Sequence, residues 1–268
     1  MLGAIVGDIV GSRFEFNNHR SKEFDLFTDR CFFTDDTLMT LAVAKSIAEG
    51  FDKQDYSIVD RTVIAYMQEM GRKYPYSGWG GMFNVWLRQS DPQPYNSFGN
   101  GAAMRVSACG FFAKNPSEIN YLSDKVTRVS HNHPEGMKGA RIVATVIYMC
   151  LRGYSMGAIK KFVSNNYDIN FTCNSIRDTY EFNETCQRTV PQALVAFFES
   201  KNFEDAIRNA ISIGGDSDTV AAITGSVAEA YYGVPEDVAE KAKSYLTPEL
   251  LDILNYVYSV YERKVLFR

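Results

Sequence analysis

The sequence lacks the features that would mark a secreted or membrane protein. Its five cysteines lie far apart and form no Cys-x-x-Cys pair, which argues against both a disulfide framework and a thiolate zinc site. The N-terminal stretch starts apolar but has no basic segment, and Asp8 interrupts it, so it predicts neither a signal peptide nor a membrane span. We therefore expect a protein of the reducing cytoplasm without membrane association.

An excess of positive charge is also missing. The chain has 28 Lys and Arg against 32 Asp and Glu, a formal net charge of −4, and no run of basic residues. Proteins that bind nucleic acid through its phosphates need such a basic field. We therefore do not expect direct binding of nucleic acid. We expect a ligand that is a small molecule or is attached to a protein.

The sequence has little sustained alternation of apolar and polar residues, the pattern that is typical of β-strands. Its apolar residues recur at the spacing of an α-helix instead. Short strands are plausible only within residues 24–33, and the chain has no linker, internal repeat or low-complexity tract. The pattern predicts an all-α fold in one compact domain over residues 1–268. Apolar stripes at helical spacing begin at Leu38, after Pro134, at Val220 and at Leu250.

Two short acidic segments each stand directly before one of these helices. A helix cap explains one Asp or Thr per helix, because its oxygen accepts a hydrogen bond from a free backbone amide. Two carboxylates exceed what a cap requires, and they repel each other unless they are protonated or bridged by a cation. Either explanation fits one segment alone, whereas the pair favours hard metal ions such as Mg²⁺ or Mn²⁺. The segments are Thr34-Asp35-Asp36-Thr37 and Asp216-Ser217-Asp218-Thr219.

Glycines recur at two places where a ligand or a close contact is conceivable. Gly3, Gly7 and Gly11 do not have the spacing of a dinucleotide-binding fingerprint, and they predict a tightly packed N-terminal helix instead. The amides of the glycine-containing loop 96–101 could approach a diphosphate, since an apolar helical run follows it. An ordinary loop before a core helix explains the same residues.

Two histidines and a tryptophan complete the candidates. His131 and His133 could ligate zinc, but no third ligand lies nearby in the sequence, so a structural role at a helix start is the simpler interpretation of His133. Trp79, beside a glycine turn, is expected at the mouth of a ligand pocket.

Five of these segments, in this order, resemble the ADP-ribosylglycohydrolase family. The resemblance covers most of the chain. It consists of GDIVG from Gly7 with Glu15 four residues further on, TDDT from Thr34, GNGAAMRV from Gly99, SHNHP from Ser130 and GGDSDT from Gly214.

The resemblance implies an orthogonal all-α bundle with a dinuclear Mg²⁺ or Mn²⁺ centre. The implied catalytic residues are Glu15, Asp35 and Asp36. The implied metal ligands are Thr34, Asp35, Asp36, Asp216, Asp218 and Thr219. Asn96, Ser97, Phe98, Gly99, Asn100 and Gly101 match the segment that holds the diphosphate and distal ribose, and His131 matches a histidine that contacts the ligand. Phe98 stands where some relatives have tyrosine, and Ser130 stands where threonine is commoner.

The implied activity is hydrolysis of the bond between ADP-ribose and a mono-ADP-ribosylated acceptor, either a protein side chain such as arginine or a small conjugate. We expect a monomer. One alternative is a dinuclear phosphohydrolase that cuts a nucleotide diphosphate, because oxygen ligands suit both reactions. Another is a non-catalytic protein that binds ADP-ribose, against which the intact acidic positions argue. The acceptor itself cannot be identified, because acceptors contact variable loops at the rim.

Overall fold

The computed structural model of the chain describes residues 1–266, and fifteen α-helices account for most of that part. A short 3-10 turn, Tyr56–Ile58, joins the second helix to the third. In chain order the helices are α1 (Leu2–Gly11), α2 (Asp35–Asp52), α3 (Val59–Lys73), α4 (Gly81–Trp86), α5 (Gly101–Met104), α6 (Ser107–Phe112), α7 (Pro116–Thr127), α8 (Pro134–Leu151), α9 (Met156–Ser164), α10 (Cys173–Ile176), α11 (Cys186–Phe198), α12 (Phe203–Ser212), α13 (Ser217–Tyr232), α14 (Glu236–Lys243) and α15 (Pro248–Leu266).

The predicted all-α fold is confirmed, and the short strands that the sequence made plausible within residues 24–33 do not form. Within residues 1–266 the structure contains no strand. Arginine side chains bind the carbonyls of this segment instead: Arg208 Nη1 donates to the Phe24 carbonyl oxygen at 2.7 Å, and Arg13 donates to that of Asp25. A backbone acceptor that is satisfied by a side chain needs no partner strand.

Helix α1 packs backbone to backbone against α13, as the glycine spacing predicts. A Cβ atom on Gly7 would lie 2.0 Å from the carbonyl oxygen of Ala221, and one on Gly11 would lie 2.4 Å from the Cα atom of Asp218. Gly3 is equally confined. Because only glycine allows helices to approach this closely, the prediction of a tightly packed N-terminal helix is confirmed. The contact also brings the end of α1 beside the second acidic segment.

Asp8, one turn before the end of α1, holds the start of α2. Its buried carboxylate accepts hydrogen bonds from the backbone N–H of Thr34 at 2.9 Å, from the Thr34 hydroxyl at 2.7 Å and from the backbone N–H of Thr37 at 3.0 Å. These bonds satisfy amides that a helix start leaves unpaired. Helix α1 therefore fixes the starts of both α2 and α13.

The described part of the chain shows no helix with the combination of length and apolar character that crossing a bilayer requires. The five cysteines are buried and unpaired. A location in the cytoplasm stays a prediction.

Candidate active site

The starts of α2 and α13, the 96–101 loop and His131 surround one cavity of about 320 Å³. All of the predicted catalytic and substrate-binding residues line it, and Thr34 is the one predicted metal ligand that does not. The predicted residues in its wall are Glu15, Asp35, Asp36, Asn96, Ser97, Phe98, Gly99, Asn100, Gly101, His131, Asp216, Asp218 and Thr219.

The two acidic segments meet directly. The hydroxyl of Thr219 donates to Asp36 Oδ2 at 3.1 Å, although the two residues are 183 positions apart. Carboxylate oxygens of Glu15, Asp216 and Asp218 lie within 4.8 Å of one another. This spacing suits a cation that is shared by several oxygen ligands.

Burial and mutual repulsion raise the pKa values of these carboxyl groups. Burial is the larger cause for each of them, and for Asp36 the charge of Asp218 is the next. The pKa of Glu15 rises to about 8 through burial and then the charge of Asp218, and that of Asp216 rises to about 6. Asp36 Oδ1 is buried without a hydrogen-bond partner. Such a cluster needs protons or a cation for stability, and its all-oxygen donors fit a hard divalent ion.

Glycines shape the turn that leads into the second segment. Gly214 and Gly215 have φ angles of 72° and 78°, a region that other residues rarely adopt. A Cβ atom on Gly215 would lie 2.2 Å from the ring of Tyr180. Asn18 clamps the turn: it donates to the Gly215 carbonyl oxygen and accepts from the Gly215 N–H, both at 2.8 Å. The turn therefore presents Asp216 and Asp218 in a fixed orientation.

Thr34 caps α2. Its hydroxyl accepts from the backbone N–H of Asp36 at 3.3 Å while donating to Asp8. The sequence left two roles open for Thr34, helix capping and metal binding. The structure shows that Thr34 caps the helix, and its role as a metal ligand stays a prediction.

The 96–101 loop is tied to the acidic cluster through Asn100. The Asn100 side-chain amide donates to Asp216 Oδ2 at 2.7 Å, and the Asn100 backbone N–H donates to the Glu184 carbonyl oxygen at 2.7 Å. The other anchor is an isolated β-bridge between Gly99 and Thr185. The residue expected to contact substrate therefore also orients a predicted metal ligand.

The two histidines have different positions. His133 is the N-cap of α8, and its Nδ1 atom accepts from the backbone N–H of Glu135 at 3.1 Å, so its structural interpretation is confirmed. His131 is buried in the cavity wall, with the rings of Phe83 and Tyr95 beside it. Burial lowers the pKa of His131 well below its usual value, so the imidazole is neutral.

The expected position of Trp79 is wrong in detail. Its indole N–H donates to the carbonyl oxygen of Tyr74 at 2.8 Å, and its ring packs beside Phe83. The glycines on either side, Gly78 and Gly80, line the cavity, whereas Trp79 does not. The tryptophan therefore packs against Phe83, which does line the cavity.

Sequence reasoning missed four residues of this region: Asp8, Asn18, Arg105 and Glu184. Asp8 and Asn18 act through bonds to segments far along the chain, which no local pattern reveals. Arg105 does carry a signal, because it is a charged residue inside the apolar GNGAAMRV stretch. Glu184 lies in a polar segment with no recognisable motif.

The fold and the cavity together define an all-α enzyme with an acidic centre beside a glycine loop. The model of the ADP-ribosylglycohydrolase family matches residues 1–264, and the chain belongs to that family of glycosyl-bond hydrolases.

Curated relatives match along most of the chain. The human protein "ADP-ribosylhydrolase ARH3" is 24% identical, covering 94% of this chain and 90% of its own length. The Pseudomonas putida "ADP-ribosylarginine hydrolase Tri1" is 27% identical, and the match covers 94% of this chain and 76% of the relative's length. The Rhodospirillum rubrum "ADP-ribosyl-[dinitrogen reductase] glycohydrolase" is 23% identical, with 88% and 85% covered. A solved "ADP-ribosylglycohydrolase-related protein complex" has the same fold, with a TM-score of 0.71, 23% identity and coverage of 97% and 96%.

Proposed function

We propose that the chain uses two Mg²⁺ or Mn²⁺ ions to hydrolyse the bond between ADP-ribose and a mono-ADP-ribosylated acceptor, releasing free ADP-ribose. The observation that carries the proposal is the meeting of Asp36 with Thr219 in the cavity that the 96–101 loop also lines. The acidic centre and the glycine loop are thus near enough for one ligand to contact both of them.

The proposed ligands of the ions are the oxygen donors of the two acidic segments: Thr34, Asp35, Asp36, Asp216, Asp218 and Thr219. Crowded carboxylates with raised pKa values and the unpartnered Asp36 Oδ1 support this assignment. When bound, divalent ions supply Lewis acidity, which orients the ribose hydroxyls and makes water a better nucleophile at neutral pH.

Glu15 is the proposed general base. Its carboxylate lies within 4.8 Å of those of Asp216 and Asp218, beside the proposed ions, and a carboxylate in that position can accept a proton from water. It takes a proton from the attacking water, whose oxygen bonds to the anomeric carbon while the bond to the acceptor breaks. Glu15 then passes this proton to the departing acceptor, so that the products are free ADP-ribose and the protonated acceptor. Asp35 and Asp36 are the alternative proton acceptors.

The loop 96–101 is the proposed site of the diphosphate and the distal ribose. Three of its backbone N–H groups, those of Ser97, Phe98 and Gly101, donate to no other group in the described part of the chain, and these are the ones assigned to the diphosphate. Phe98 is half-exposed and contacts the ring of His133 edge-on, so one of its faces is available for stacking on adenine.

The proposed acceptor is an arginine side chain. Glu184 lines the cavity near Glu15, and in the described part of the chain no basic residue forms an ion pair with it. Phe16, which follows Glu15 in the chain, and Phe182, two residues before Glu184, stack their exposed rings with 5.9 Å between the centroids. Carboxylates and aromatic faces both attract a planar guanidinium. The arginine substrate in the name of the Pseudomonas putida relative agrees with this choice.

The test is incubation with arginine-linked, serine-linked and nucleic-acid-linked ADP-ribose, with Mg²⁺ and with EDTA. We expect free ADP-ribose from the arginine conjugate, and we expect EDTA to abolish its release. AMP and ribose 5-phosphate as products would indicate a phosphohydrolase instead. Binding of ADP-ribose without turnover of any conjugate would indicate a non-catalytic binding protein.

A further inference from the structure

Arg105 lies in the wall of the cavity just after α5, and its side chain is only 1% exposed. It is the one arginine or lysine among the residues that line the cavity, and six acidic residues share that wall. Across residues 1–266, no carboxylate lies within ion-pair distance of its guanidinium. A buried positive charge without a counter-charge is strongly unfavourable.

The contacts of Arg105 do not supply a counter-charge. Its guanidinium lies 5.7 Å from the centroid of the Phe83 ring, a cation–π contact that attracts the charge but does not neutralise it. Its Nη2 atom donates to the carbonyl oxygen of Val126 at 3.1 Å and to the hydroxyl of Ser130 at 2.7 Å. Its Nε atom is buried without a partner. Val126 is in the last turn of α7, where the helix dipole offsets at most about half a charge. A neutral side chain could join α7 to Ser130 at lower cost, so the remaining charge points to an anion that enters the cavity.

The contact with Ser130 also determines where His131 carries its hydrogen. A guanidinium can only donate, so the Ser130 oxygen accepts from Arg105 and its own hydrogen is free to donate. The Ser130 hydroxyl lies 2.8 Å from His131 Nδ1. Ser130 is fully buried, and in the described part of the chain its hydroxyl reaches no acceptor other than His131 Nδ1. The hydroxyl therefore donates to Nδ1, and the neutral imidazole carries its hydrogen on Nε2.

His131 Nε2 faces the glycine loop. A Cβ atom built on Gly101 would lie 3.3 Å from Nε2, and one on Gly99 would lie 3.5 Å from it. The missing side chains leave this nitrogen open to a ligand that occupies the loop. The chain of contacts from Arg105 through Ser130 thus ends in a hydrogen-bond donor at the loop.

We propose that Arg105 is a positioning residue for the diphosphate of the ligand. It places an uncompensated positive charge behind the 96–101 loop, and through Ser130 it holds His131 as an Nε2 hydrogen donor. The identity of the ligand, ADP-ribose, rests on the proposed function, whereas the hydrogen position on His131 does not.

Calorimetric titration with ADP-ribose in excess Mg²⁺ tests the charge. Arg105→Gln should weaken binding about 10- to 100-fold, the range for a lost charged partner. Arg105→Lys keeps the charge and should lose less. Arg141→Gln is the matched control, because Arg141 is half-exposed on α8 and forms hydrogen bonds of 2.6 Å and 2.7 Å with Asp124. This variant should bind ADP-ribose as tightly as the wild type does. A folded Arg105→Gln protein that binds ADP-ribose as tightly as the wild type would overturn the proposal.

Nitrogen NMR of the imidazoles tests the relay without any activity measurement. In the wild type, the hydrogen of His131 should be on Nε2. The signal of His131 is identified as the one that is missing from the spectrum of His131→Gln. Ser130→Ala should mix the two neutral forms while the pKa of His131 stays low, and Arg105→Gln should also raise that pKa. A wild-type hydrogen on Nδ1 contradicts the relay even if Arg105→Gln fails to fold. A wild type that neither binds ADP-ribose nor releases it from a conjugate contradicts the proposed function and the diphosphate assignment together, whereas normal turnover with no effect of Arg105→Gln contradicts the assignment alone.

Discussion

At the scale of single residues, the same side chains that repel one another in the cavity are the ones proposed to hold ions. Burial raises the pKa values of Asp36 and Asp218, and next to burial the charge of Asp218 raises the pKa of Asp36 while the charge of Asp216 raises that of Asp218. The folded chain can stabilise them with protons or with cations. Changing one carboxylate should therefore affect activity and stability in opposite directions.

Asp218→Asn should lower Mg²⁺-dependent release of ADP-ribose by at least about 100-fold, because a proposed ligand is lost. In EDTA the same variant should melt at or above the temperature of the wild type, because one repelling charge is gone. The control is Asp237→Asn on exposed α14, which should leave both properties unchanged. Full Mg²⁺-dependent hydrolysis by Asp218→Asn would rule out the proposed metal centre.

The raised pKa values predict how stability depends on pH without metal. The pKa of Glu15 is about 8 in the folded chain, against an ordinary value of 4.5, so between these values the folded form binds more protons than the unfolded form. Stability contributed by such a group is lost as pH rises. The melting temperature in EDTA should therefore fall from about pH 5 to about pH 8. Glu15→Gln should reduce this fall.

Added Mg²⁺ should reverse that loss. Cations compete with protons for the same oxygens, so binding tightens as pH rises. The rise in melting temperature on adding Mg²⁺ should consequently be larger at about pH 8 than at about pH 5.5. An equal rise at both values would indicate that the ions do not bind the titrating carboxylates.

At the scale of helices, the active-site geometry depends on how closely α1 approaches α13. Two helix starts can share an ion only if the helices between them are packed at a fixed distance. Gly7 sets that distance, because its missing side chain lets the backbones touch. Helix α1 carries no proposed metal ligand, but it controls how α2 and α13, which carry them, are arranged.

Gly7→Ala should destabilise the fold by about 3 kcal/mol or more, because overpacking against a backbone carbonyl cannot be relieved by a side-chain rotation. Gly157→Ala is the matched control. Gly157 is exposed on α9 with nothing within 4 Å of an added Cβ atom, so this change should stabilise by up to about 1 kcal/mol. Urea unfolding of both variants measures the difference, and a Gly7→Ala protein of wild-type stability would refute the close-packing account.

At the scale of the whole molecule, the distribution of thiols reports on the integrity of the core. All five cysteines are buried, and burial raises the pKa values of Cys109 and Cys186 to about 12. Thiolates, which are the reactive form, are therefore rare in the native protein. A single domain over residues 1–268 and a monomeric state stay predictions.

A thiol reagent such as DTNB should leave the native protein essentially unmodified for minutes and react with five thiols per chain in denaturant. Intermediate urea concentrations should release all five together if the molecule unfolds as one unit. Release of one or two thiols at lower urea would instead indicate separate folding units.

The amino-acid sequence by itself determined the helical class, the two acidic helix starts and the glycine loop, because each depends on residues that are neighbours in the chain. Periodicity and capping are local properties. Short strands within residues 24–33, which the sequence made plausible, do not form for the complementary reason: Arg208, far along the chain, donates to the carbonyl oxygen of Phe24.

Only the tertiary structure decided that the acidic segments meet, since the Asp36 and Thr219 contact spans 183 positions. The roles of Asp8 and Asn18 arise in the same way, from bonds to backbone that folding brings near. Arg105 was visible as a charge in an apolar stretch, yet its missing counter-charge became evident only when every neighbour was in place. Contact in space between distant segments is set by packing, which no short motif encodes.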